Sequence, residues 1–154
     1  MNHPVKSIHW VIQDLGLHLG TIANSNPLTY ELPYERVAKY TLNPFLRETF
    51  LNMKIQLNGH DRFTVRDAEY FRKVQPYQHF DSCPRKYIYN YSFSLKPNQH
   101  QPTGSCNFSR IDNAVMNISF SNYHNTHDKV LKIYVINYNV LRIMSGMGGL
   151  AYSN

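Results

Sequence analysis

Between Lys86 and Ile143 the apolar residues keep the two-residue period of β-strands. In KYIYNYSFSL, Tyr87, Tyr89, Tyr91, Phe93 and Leu95 fall on one side. Lys86, Asn90, Ser92 and Ser94 fall on the other, with Ile88 the exception. Successive strand residues point to opposite faces, so this pattern predicts one apolar and one polar face. In AVMNISFS, Ala114, Met116, Ile118 and Phe120 share a face opposite Asn117, Ser119 and Ser121. The third segment, DKVLKIYVINYNVLRI, is apolar on both sides in its middle: Leu131, Ile133 and Val135 alternate with Val130, Tyr134 and Ile136. Past Asn137 the apolar set moves to Tyr138 and Val140, a phase change that predicts either a bulge or burial on both faces. Three strands do not make a domain, so the rest of the chain must supply strands to pair and pack against them.

Two upstream segments do so. Val5–Gln13 sets Lys6, Ile8, Trp10 and Ile12 against Ser7, His9 and Gln13. Thr49–Asn58 sets Thr49, Leu51, Met53, Ile55 and Leu57 against Asn52, Lys54, Gln56 and Asn58, and Asn58-Gly59 is a turn pair that readily supplies positive φ. Thr64–Val74 reads as one short helix. Thr64 and Asp67 have capping-box spacing, Tyr70, Phe71 and Val74 form the apolar stripe, and Pro76 stops it. Asp14–Leu46 has no sustained period and carries the turn signals Asn24–Pro27, Pro33 and Asn43-Pro44; it has room for a strand at Leu28–Leu32 or a helical turn at Tyr34–Tyr40. At the other end, Gly146, Gly148 and Gly149 allow a tight turn that lays Leu150 and Tyr152 back on the fold.

Length and composition agree with this all-β reading. The 154 residues suffice for one domain with a core. The 12 Tyr and 8 Phe favour strands and half-buried surfaces. No apolar run approaches the ~20 residues of a membrane-spanning helix. MNHPVKSIHWVIQDLG lacks the basic and apolar blocks of a secretory leader. Cys83 and Cys106 are too few for a stapled secreted scaffold and read as free thiols in a reducing compartment. The net charge of +6 raises nucleic acid as a partner, but basic residues never run longer than two, so a solvated surface is the reading.

Candidate chemistry is sparse. His124 and His127 are close in NYHNTHD but lack the further ligands that structural zinc needs. Gly146–Gly149 does not open a helix, as a phosphate-binding loop would. Neither cysteine has a nucleophile's neighbours. Asp61, Asp67 and Glu69 sit among His60, Arg62, Arg66 and Arg72 like an ordinary ion-paired turn and helix. The sequons at Asn90 and Asn117 fall on strands, and the third is at Asn107. Tyr87, Tyr89 and Tyr91 would make a stacking platform for carbohydrate or nucleic acid if exposed. Their placement on one face of an alternating strand instead predicts sandwich core. No catalytic, cofactor-binding or metal-binding residue is assigned.

A longer set of residues resembles a known family. It comprises Asn58–Phe63, Tyr70-Phe71 with Val74–His79, Tyr91–Phe93 with Leu95 and Pro97, and His100–Pro102 with Gly104. It continues through Asn107–Asn113, Asn137–Ile143 and Gly148–Tyr152, and Asn2–Lys6 matches a segment early in the family's second jelly roll. In this order and spacing they resemble the C-terminal part of the major capsid protein of nucleocytoplasmic large DNA viruses, the iridovirus, phycodnavirus and mimivirus type. The resemblance implies a jelly-roll β-sandwich with one short helix, the whole of 1–154 being one partial C-terminal domain. It implies a structural, non-enzymatic role without cofactors, and no specific nucleic acid or small-molecule substrate. Its partners would be other copies in a trimeric capsomer, neighbouring capsomers and minor capsid proteins. Its place would be the virion capsid, assembled in the host cytoplasm. Pro97, Pro102 and Gly104 would shape the connection between two core strands, and Asn107, Arg110, Asp112 and Asn113 would satisfy loop backbone groups. Against the family pattern, the first jelly roll and the opening strand of the second are missing ahead of Met1. The expected result is an apolar edge along Val130–Ile143.

Overall fold

β1 (Pro4–Asp14) is the spine of the first of two four-stranded antiparallel sheets among the described residues. The computed structural model describes residues 3–14, 48–84, 86–120 and 129–151. The expectations at Leu28–Leu32, Tyr34–Tyr40, His124, His127 and Tyr152 lie outside those residues. β1 pairs along one side with β8 (Lys129–Asn137) and along the other with β5 (Tyr89–Ser92) and β6 (Cys106–Asn107). Ile8, Trp10 and Ile12 point into the core, as their alternation predicts.

Lys6 departs from that alternation. The register jumps from Val5↔Asn137 to Ser7↔Ile136, which leaves Lys6 as the extra residue of a bulge. Val5 therefore joins the core, and the Lys6 ammonium lies 5.0 Å from the Tyr138 ring centroid. The phase change expected after Asn137 is absorbed here, on the opposite strand. β8 itself stops, and the Tyr138 N–H donates to the Pro4 carbonyl at 2.8 Å.

The second sheet is centred on β2 (Asn52–Leu57). β7 (Ala114–Ser119) runs along its whole length, while β3 (His60–Asp61) and β4 (Arg66–Asp67) take the two ends of its other side. Asn58 and Gly59 have φ of 50° and 81°, the consecutive left-handed pair of a tight hairpin turn. Met53 and Ile55 face inward as predicted, but Leu51 is 53% exposed. The strand starts one residue later, and Phe50 enters the core in its place.

The helix is displaced from its expected span. Asp67 belongs to β4 rather than to a capping box, Tyr70–Val74 forms a π-turn, and α1 (Gln75–His79) follows with Pro76 in its first turn. Pro76 does not stop the helix because a first-turn N–H has no partner to lose. The expected strand Tyr87–Leu95 is regular only over β5, which is buried on both faces. Its polar face is covered rather than wet. The Gln75 carboxamide oxygen accepts from the Ser92 N–H at 3.1 Å, and its NH₂ donates to the Tyr70 hydroxyl at 2.8 Å.

Rings from both sheets and the helical segment fill the space between. Trp10 lies 5.4 Å from Phe71 and 6.0 Å from Tyr89, Phe50 lies 4.7 Å from Tyr89, and Phe63 lies 4.9 Å from Tyr91. Gly104, at φ 137°, lets the long connection cross close to β5: a Cβ there would sit 3.0 Å from the Phe93 carbonyl oxygen. The loop bonds run partly opposite to expectation. Asn107 does cap, accepting from the Ser109 N–H at 3.1 Å. Asp112 and Asn113, however, are the ones satisfied, both backbone N–H groups donating to the Asn58 side chain at 3.0 and 3.2 Å.

Candidate assembly surface

Directly opposed residues of an antiparallel pair share a face. Ile8↔Val135, Trp10↔Ile133 and Ile12↔Leu131 therefore place Val135, Ile133 and Leu131 on the inner face of the first sheet. His9↔Tyr134 and Ser7↔Ile136 place Tyr134 and Ile136 on the outer face. Leu131 and Ile133 face inward yet are 39% and 41% exposed, and Tyr134 and Ile136 are exposed as well. Among the described residues β8 pairs only with β1, and none of them forms a ladder along its other side. Of the apolar edge expected along Val130–Ile143, β8 carries the part up to Asn137, whereas Leu141–Ile143 pairs with β10 instead.

The second sheet is open in the same way. Met53↔Ile118 and Ile55↔Met116 put Ile118 and Met116 inside, where they are half-buried. Among the described residues β7 pairs only with β2. Among the described residues both sheets thus end on a strand paired along one side only, with incompletely covered inner residues.

Beyond β8 the chain forms a hairpin, β9 (Leu141–Met144) and β10 (Met147–Leu150), that among the described residues pairs only with itself. Ser145 and Gly146 make its turn with φ of 50° and 79°; of the three glycines expected to shape it only Gly146 does, while Gly148 and Gly149 lie on β10. It does not lie back on the fold: every residue of both strands is exposed.

The opposite end of the sandwich is tied down by a polar cluster that sequence reading did not find. Arg72 makes a bidentate pair with Glu48, its Nε donating at 2.9 and 3.1 Å, and its guanidinium lies 5.1 Å from the Tyr87 ring centroid. The Tyr89 hydroxyl donates to Glu48 at 2.9 Å and accepts from the Thr49 hydroxyl at 2.9 Å and the Thr49 N–H at 3.1 Å. Burial, and then the Glu48 charge, push the Tyr89 phenol well above its ordinary range. Glu48 pairs with residues 24 and 41 positions away, so no local spacing could have revealed it.

The remaining candidates resolve as structure. Tyr89 and Tyr91 are core, so they offer no stacking platform for sugar or base. Asp61 accepts from Gln56 at 2.6 Å and Lys54 at 3.1 Å, which together hold its carboxyl below the usual range. Glu69 pairs with Lys73 one helical turn on, at 3.1 Å. Cys83 and Cys106 are free thiols. Asn90 is buried on β5, and Asn117 lies on β7 with its NH₂ on the Gln56 side chain at 2.9 Å. Among the described residues no cluster of three His, Cys, Asp or Glu side chains is placed to hold a metal ion, and no helix is long and apolar enough to cross a membrane.

Comparison with known proteins places this architecture. Residues 1–149 match the family model for the large eukaryotic DNA virus major capsid protein. The chain is 39% identical over 176 residues to a major capsid protein of Pyramimonas orientalis virus, covering 99% of this chain and 37% of that one. It is 49% identical over 121 residues to the major capsid protein of Paramecium bursaria Chlorella virus 1, covering 66% of this chain and 28% of that one. Its fold superposes on a crystal structure of PBCV-1 VP54 with a TM-score of 0.69 and 36% identity, over all of this chain and 44% of that one. The sandwich is thus of jelly-roll type. The chain spans well under half the length of these relatives.

Proposed function

Because this chain belongs to the large eukaryotic DNA virus major capsid protein family, we propose that it is the C-terminal jelly roll of a capsid protein and acts through protein–protein contacts, without catalysis. It builds trimeric capsomers with other copies and meets neighbouring capsomers and minor capsid proteins in the shell of a virion assembled in the host cytoplasm. The observation that carries this reading is that, among the described residues, β8 and β7 each pair along one side only. A sheet edge with half-covered apolar residues is a pairing site, and leaving two of them in water favours aggregation. Strands supplied from the rest of a longer capsid chain would pair with both edges and cover Leu131, Ile133, Met116 and Ile118.

The test is the solution mass of two proteins by light scattering. One is the 154-residue chain. The other is a chimera in which the preceding region of the Pyramimonas orientalis virus protein is joined ahead of it. The expected result is polydisperse association of the short chain and a discrete trimer of the chimera. A chimera that stays monomeric overturns the capsomer reading. A short chain that is a monodisperse monomer with a cooperative melt overturns the completion of its edges by further strands.

A further inference from the structure

We infer that the β9–β10 hairpin is a docking arm, and that its occupant is the preceding part of a longer capsid chain rather than another region of this sandwich. The inference rests on the capsid reading above and names a contact within it. An isolated two-stranded hairpin is marginal in water and needs a third strand or a covered face. This one has neither among the described residues. Its register puts Leu141 opposite Leu150 and Ile143 opposite Gly148, an apolar face broken by one glycine. Met144 faces Met147 on the reverse side, and Arg142 faces Gly149. Ile143 is 70% exposed and Met147 75%.

The glycines point outward to a partner. Gly146 has the positive φ that its turn requires, but Gly148 and Gly149 have no such φ, and a Cβ at either would meet nothing within 4 Å. Neither backbone conformation nor packing among the described residues calls for glycine there. A strand glycine of that kind marks a place where another backbone comes close. Methionine supplies adaptable contact area beside it.

Arg142 is the lone charged residue from Leu141 to Leu150. Depletion of charge on an apolar patch is the mark of a permanent interface rather than a transient one. More than half of the VP54 chain lies outside the region this chain covers. In a longer chain of that kind the remainder would be a permanent partner, present once per arm, within the same polypeptide.

The test is amide hydrogen exchange across residues 141–150 in the 154-residue chain and in the chimera. Exchange slowed at least tenfold in the chimera, independent of protein concentration, is the expected result. Gly148→Val is expected to abolish that protection while leaving the unfolding midpoint of the 154-residue chain unchanged. Equal protection in the short chain overturns the inference, and protection that grows with its concentration assigns the arm to a second copy. A chimera that forms trimers with the hairpin still exchanging fast overturns the arm and spares the capsid reading. A chimera that cannot fold overturns both. Destabilisation of the short chain by Gly148→Val also overturns the inference, since the space at Gly148 would then be filled from within.

Discussion

Trp10 and Ile133 are direct cross-strand neighbours on the same face of the same sheet, and they live in opposite environments. Trp10 is fully buried against Phe71 and Tyr89, whereas Ile133 keeps 41% of its surface. Both residues obey the same alternation. What differs is the layer above them. Over β1 lie Phe50, Phe71 and the second sheet, while over β8 that cover runs out. The sandwich is finished at the end held by Glu48 and Arg72 and unfinished along β7 and β8.

The largest expected effect breaks the comparison at its closed half. Trp10→Ala should destabilise the fold by ~3–5 kcal/mol, the range for emptying a large aromatic site in a packed core. Ile133→Ala, one strand away, should cost about 1 kcal/mol, because much of that side chain never left water. Urea unfolding of the two variants measures the difference directly. Equal losses would mean that β8 is covered in solution.

A smaller effect sharpens the picture of the closed end. Tyr89→Phe keeps the ring and removes the hydroxyl that links Thr49 to Glu48. It should cost ~1–3 kcal/mol, since buried groups lose a partner. Chemical denaturation will read it. A neutral result would mean that water replaces the hydroxyl and that this end is less closed than it looks.

The smallest effect tests the outer face of β1. Burial lowers the pKa of His9 below 6.5, and its ring packs 5.4 Å from Phe80. The unfolded chain then takes up a proton at higher pH than the folded one, so His9's contribution is present above pH 6.5 and is lost as pH falls through the folded value. The urea midpoint should drop between about pH 7.5 and about pH 5.5, and His9→Gln should flatten that part of the profile. A wild-type midpoint unchanged across the window would mean that His9 is solvated.

Periodicity was a good guide wherever one face of a strand met the core, as at Ile8, Trp10, Met53, Ile55, Tyr89 and Tyr91. It failed where the backbone broke phase for reasons a local pattern does not carry. The bulge at Lys6 answers the end of β8, more than 120 residues away in sequence. Leu51 lost its place to Phe50 where the chain bends into β2, and Pro76 was read as a stop although a preceding π-turn places it where a helix tolerates it. Of the candidate surface, the apolar edge at β8 was legible only through the family resemblance, against which a strand is missing beside it; the two-sided hydrophobicity by itself predicts a bulge or burial on both faces. The second edge at β7 was not, because Met116 and Ile118 alternate like any core strand.

The amino-acid pattern alone determined the strand-rich class, the Asn58-Gly59 and Ser145-Gly146 turns, most inward-facing residues and the family, because these follow from neighbours a few positions apart or from ordered motifs. Only the tertiary structure decided which apolar residues are core and which are surface. It set Glu48 against Arg72 and Tyr89 and, among the described residues, left β7 and β8 without outer neighbours and the β9–β10 hairpin paired only with itself. Those outcomes depend on what lies across the fold, and burial is a property of the opposing layer, which no local alternation encodes.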